Sequence, residues 1–172
     1  LFLHPQFIFL AGLGVGILLF RKYPATILLG LIFMGVWAYT EMSQQALLID
    51  GLNQIWRPGY VAATDPATQE IYKTLLTGVN GFNDSSYFLV IYGFGLGSLL
   101  LGIAMVREKA LGMYLGIAKI FIGVLSLAAF TSYYLGFTFF STPVGFCYEW
   151  IYSWFQPLVR VALAWWLWQQ SK

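Results

Sequence analysis

Apolar residues fall along this chain in long blocks, neither alternating as in half-buried strands nor confined to the narrow stripe of a soluble helix. Five blocks approach the ~20 residues that a helix needs to cross ~30 Å of hydrocarbon. The first covers residues 5–20, opening at Pro5, a residue suited to a first helical turn, and closing at Arg21-Lys22. The second runs over 24–40, the third over 87–106, the fourth over 110–134 and the fifth over 143–168. Asp84, Ser85 and Ser86 are candidate caps for the third, and Arg107-Glu108-Lys109 divides it from the fourth. The pattern predicts an all-α fold: a polytopic transmembrane helical bundle of about five spans, with residues 1–172 forming a single integral-membrane domain.

Residues 41–83 are the only stretch long enough for structure outside the bilayer. "TDPATQEIYKTLLTGVNGF" reads as a short capped helix, with Asp65 at the cap and Pro66 in the first turn. Ile71, Leu75, Val79 and Phe82 share one face, which is expected to lie on the outer interface or the bundle top. Before it, "EMSQQALLIDGLNQIW" extends the second helix beyond the membrane, with Met42, Ile49 and Trp56 seven residues apart. Plain packing accounts equally for both patterns.

Orientation follows from the positive-inside rule. Arg21, Lys22, Arg107, Lys109 and Lys172 gather at one end, whereas the other carries only Arg57 and Lys73. This places the protein in a bacterial inner membrane with Leu1 outside and Lys172 cytoplasmic. Because the chain starts at Leu1 rather than Met, an upstream segment is expected, and a further helix there would put the true amino terminus inside. Trp150, Tyr152 and Trp154 near one end of the fifth block, and Trp165, Trp166 and Trp168 at the other, fit rings at the two headgroup levels.

Composition narrows the function classes. Hydrophobic residues are 59% of the chain and charged residues 9%, against roughly 25% charged in soluble domains, which is a membrane balance. A net charge of +2, from scattered Lys and Arg, leaves no nucleic-acid footprint. Cys147 is the only cysteine and His4 the only histidine, so one chain supplies no disulfide, thiolate cage, bis-histidine haem or two-histidine metal site. No Ser-His-Asp set, HExxH motif or paired carboxylates mark a catalytic centre, and Asp50, Asp65, Glu70 and Asp84 fall where solvation explains them. No cofactor is expected from this chain alone, although its aromatic content leaves lipid, quinone or pigment contacts open.

Within lipid, helices associate through close packing, and small residues four apart mark faces where backbones touch. Gly12 and Gly16, Gly93 and Gly97, and Gly112 and Gly116 have that spacing, which Gly123 extends. Two of these runs, "GLGVGILLF" at 12–20 and "GFGLGSLLL" at 93–101, are alike enough to raise a parallel internal repeat. Gly112, Gly116, Lys119 and Gly123 share one side of the fourth helix, so Lys119 points into the protein. Ten residues beyond Lys109, it lies ~15 Å deep, where insertion of a lysine costs about 2.5–3.5 kcal/mol.

Its candidate neighbours are Glu41, Glu149 and Arg160. Arg160 follows Glu149 by eleven residues, close to three α-helical turns, and Pro157 between them removes a backbone donor, kinks the helix and frees the carbonyl of Ser153. The expected arrangement is a polar seam of Glu41, Glu149, Lys119 and Arg160 along the inside of the bundle. It reads either as a cluster that fixes helix register or as a solute, proton, ion or headgroup site.

The stretch "YFLVIYGFGLGSLLLGIAMVREKALGMYLGIAKIFIGV", with the closing "QPLVRVALAWWLW", resembles a group of small bacterial polytopic membrane proteins classed as a domain of unknown function. The resemblance implies a membrane bundle and a helix before Leu1, and transfers no site residues. The role expected first is non-enzymatic: an accessory or scaffold subunit contacting membrane lipids and other membrane-protein subunits. The alternatives are a small transporter or channel for an ion, proton or anionic solute using Lys119, and a lipid- or quinone-binding membrane enzyme.

Overall fold

Five helical segments form where the five apolar blocks lie, but two of them are about twice as long as their blocks. The computed structural model describes residues 2–171 and contains no strand among them. The segments are α1 (His4–Leu19), α2 (Pro24–Ala62), α3 (Pro66–Met105), α4 (Leu111–Tyr134) and α5 over 141–170. A 3₁₀ turn at Thr138–Phe140 leads into α5.

Among the described residues three helices, α2, α3 and α4, are long and apolar enough to cross a membrane. Of the five expected spans, length and composition thus support three. At 16 residues, α1 reaches only ~24 Å. In α5 the apolar positions are diluted by Tyr148, Glu149, Tyr152, Gln156, Pro157 and Arg160.

The outer segment is likewise not a separate surface helix. α2 runs on past residue 40, and α3 starts at Pro66, some twenty residues before the expected boundary. Asp84, Ser85 and Ser86 therefore lie mid-helix, where the Ser85 hydroxyl donates to the Gly81 carbonyl at 2.9 Å instead of capping a new start. The break comes at residues 63–65. Asp65 is extended (φ −101°, ψ 142°), as a residue before proline prefers, and its Oδ1 accepts from the Thr68 amide at 2.8 Å. No proline interrupts the next forty residues, so one helix carries the chain back to Met105.

At the opposite end, the α1–α2 and α3–α4 turns meet. Lys22 Nζ donates to Glu108 Oε2 at 2.8 Å, and the Arg107 guanidinium lies 5.2 Å from the Tyr23 ring centroid. The Glu108 carboxylate raises the pKa of Lys22 by accepting its hydrogen bond. Lys22, Arg107 and Lys109 thus do assemble at one end of the bundle, while Lys172 lies outside the described residues.

α3 is the central helix, packed between α2 and α4. All five helices contribute buried side chains to the core, among them Val15, Ile27 and Met34 against Leu101 and Met105 of α3. The approach is closest where glycine permits it. A Cβ at Gly93 would meet the Phe33 carbonyl oxygen at 2.9 Å, one at Gly123 would meet the Leu99 nitrogen at 2.7 Å, and one at Gly116 would collide with the Val106 nitrogen. Gly97 similarly faces the backbone of Met34. The α1 glycines differ: Gly12 and Gly16 face only the side chains of Leu101, Leu31 and Ile27, as Gly112 faces Glu108 and Trp166.

Two stretches depart from α-helical winding. Leu47–Trp56 in α2 and Cys147–Tyr152 in α5 are wound as π-helix, with i→i+5 bonding. The second ends one turn before Pro157, which stays inside the helix.

Candidate functional site

Two adjoining cavities occupy the space between α5 and the other four helices. The distal chamber, at the end away from the basic turns, has a volume of about 300 Å³, and the central chamber about 210 Å³. Phe94, Gln156 and Arg160 line both and form the partition between them.

The distal chamber carries the acid of the site. His4, at the start of α1, brings Nδ1 to 3.2 Å from Glu41 Oε1 on α2, and with Glu41 ionised the ring donates that bond. Trp37 stands beneath the pair, its ring 6.1 Å from His4 and 5.1 Å from Phe94. On the α5 side, Tyr148 and Tyr152 lie 4.7 Å apart, and Gln156 Nε2 donates to Tyr152 Oη at 2.6 Å. Across the chamber mouth, Gln44 Nε2 donates to the Asn83 carbonyl at 2.8 Å.

The central chamber is different in kind. Lys119, only 8% exposed, enters it from α4, and Arg160 enters from α5. Each feels the charge around the partition: Arg160 acts on Lys119, and Glu41 acts on Arg160 from the distal side. No acidic residue lines this chamber. Among the described residues no carboxylate pairs with Lys119, and the fully buried Ser98 hydroxyl, which lines the same space, has no hydrogen-bond partner. The rest of the wall is apolar.

Of the four residues expected to form the seam, the structure brings together Lys119 and Arg160, with Glu41 in the neighbouring chamber. Glu149 is a correction: it is exposed and lines neither cavity. Its eleven-residue spacing from Arg160 assumed 3.6 residues per turn, but Glu149 lies in the π-wound stretch, where each residue turns through a smaller angle and the phase of the face shifts.

Ser98, Gln156 and His4 were not anticipated as part of the site. Ser98 sits inside a glycine-rich run that reads as pure packing. Gln156 does carry a sequence signal, four residues before Arg160 on the same helix face. His4 is 37 residues from Glu41, beyond any local pattern. No family model, curated protein or solved structure matches the chain.

Chemically, two cationic side chains, a side-chain amide and an unpartnered hydroxyl share a largely apolar chamber with no acidic acceptor in its wall. Burying a cation without a partner is unfavourable, and an anion held by charge-assisted hydrogen bonds removes much of that penalty.

Proposed function

We propose that this chain is a small integral-membrane protein that receives an anionic solute in its interior, held by Lys119 and Arg160, as a transporter-type binding site. The observation that supports this reading is the central chamber itself: two facing cations with no acid in the wall. The distal chamber supplies the aqueous side, and Glu41, hydrogen-bonded to His4, keeps the approach from becoming wholly positive. In this reading α1 and α5 complete a five-helix bundle around the site. The basic turns face the cytoplasm, and the long α2–α3 hairpin is on the outer side of a bacterial inner membrane.

Anion binding to the folded state raises the melting temperature by mass action. Replacing gluconate with iodide at constant ionic strength is expected to stabilise the detergent-solubilised protein and to leave Lys119→Met unmoved. An equal response of both proteins would contradict the proposal.

A second role, as an accessory subunit, draws on the hairpin. α3 has 40 residues and is ~60 Å long if straight, twice the hydrocarbon thickness. Its outer half and the facing part of α2 expose Ile49, Ile55, Val61, Ile71 and Phe82. Gentle extraction should then recover the chain with a stoichiometric companion; a particle containing this polypeptide alone would remove the subunit role.

A further inference from the structure

The central chamber has a second opening, and its position narrows the class of anion. Its wall is built by α1, α3, α4 and α5, and nearly all of it is buried or half-buried. The exceptions are Phe7 on α1, 63% exposed, and Ala164 on α5. Both lie where α1 and α5 face each other, so the chamber opens sideways between these two helices rather than toward either end of the bundle. From that mouth the outer surface continues without charge along Leu10 on α1 and along Leu158, Val161 and Trp165 on α5, all exposed. In the five-helix bundle proposed above, these surfaces meet acyl chains rather than water.

We infer that the central chamber takes the head of a single-chain carboxylate amphiphile, a fatty acid, whose acyl chain leaves between Phe7 and Ala164 into the lipid; this rests on the anion-site reading above. Three features of the chamber converge on that ligand. Lys119 and Arg160 carry two positive charges against the single negative charge of Glu41, itself held by His4, which leaves room for one further negative charge. The planar guanidinium fork of Arg160 matches the two oxygens of a carboxylate, leaving Lys119 and the unpartnered Ser98 hydroxyl as further donors to the same group. A hydrophilic inorganic anion would gain nothing from Phe7, Ile8, Val159 and Leu163, whereas the first methylenes of an acyl chain would be desolvated by them. Gln156 and Arg160, shared with the distal chamber, give the head group a route to water while the chain stays in the membrane.

The test is equilibrium binding to the intact protein in phosphatidylcholine nanodiscs, with dodecanoate, acetate and iodide as probes and phosphatidylglycerol as competitor. Dodecanoate should bind at one per chain and at least about tenfold more tightly than acetate, and Lys119→Met should weaken it by about tenfold or more. Ala164→Trp, which fills the mouth at an exposed position, should abolish dodecanoate binding, a larger loss than any change it makes in the thermal response to iodide. Ala164→Leu gives the same reading if the tryptophan variant does not accumulate folded.

Dodecanoate no tighter than acetate, or undisturbed by the mouth substitutions, would overturn the amphiphile and leave the anion site standing. Stoichiometric displacement by phosphatidylglycerol would replace the single-chain carboxylate with a diacyl phosphodiester and so contradict the inference. Loss of the iodide response in the unaltered protein would remove the anion site itself.

Discussion

At the α3–α4 interface, Gly116 and Gly123 let one helix backbone lie on the other; at the α1–α5 seam, side chains hold the helices apart around a cavity. The first interface is closed by direct backbone approach. The cavity beside the second is lined by Lys119 of α4, Ser98 of α3, and Gln156 and Arg160 of α5. The difference teaches how a small bundle divides labour: α2, α3 and α4 pack closely along their glycines, and α5 leans on that unit as one wall of the cavity.

The comparison breaks most severely at Gly116. Gly116→Leu drives a side chain into the backbone at Met105 and Val106, and no rotamer avoids it, so monodisperse folded protein should be lost on size-exclusion chromatography. Gly12→Ala, whose Cβ would sit 3.6 Å from Leu101, should behave as the unaltered protein. If both variants accumulate equally, the closed interface is not what holds the bundle.

The next effect lies in the chamber. In the absence of a binding anion, Lys119→Met removes an unpaired buried cation and leaves an apolar chain of similar volume. Melting should therefore shift upward, by the equivalent of about 1 kcal/mol or more. A cluster that merely fixes helix register would lose stability instead. Glu41→Gln deletes the one negative charge that offsets Arg160, so it should strengthen the iodide response; a weakened response would mean that Glu41 helps to hold the ligand rather than to balance the site.

The smallest effect is expected at the hairpin tip, far from both interfaces. The Thr68 side chain and amide hold the Asp65 carboxyl below its usual range. A depressed folded-state pKa means that the cap contributes at neutral pH and is lost as pH falls through that lowered value. Protection of the Thr68 and Gln69 amides, taken relative to intrinsic exchange at each pH, should fall in acid, and in Asp65→Ala it should be low at every pH.

Much of the fold was legible because its boundaries are chemical. Pro5, Pro24, Arg21-Lys22 and Arg107-Glu108-Lys109 mark ends that apolar periodicity alone would leave vague, and α4 follows its block to within a residue. The start of α3 was legible at Asp65-Pro66, but its continuity with the third block was not, because Asp84-Ser85-Ser86 has the composition of a cap while its hydroxyls are equally able to bond back within a continuing helix. For the site, Lys119 and Arg160 stand out as charges in oily surroundings. Glu149 misled because the π-wound stretch has no sequence signature that a count of residues per turn would notice. His4 and Ser98 depend on which helices become neighbours, and that is decided by the glycine contacts far from either residue.

The most direct measurement is anomalous scattering from crystals of the protein equilibrated with iodide. The account predicts a peak in the central chamber, between the Lys119 ammonium and the Arg160 guanidinium and within reach of the Ser98 hydroxyl. A chamber without a peak, or one in which a carboxylate side chain has turned in to pair with Lys119, would contradict it.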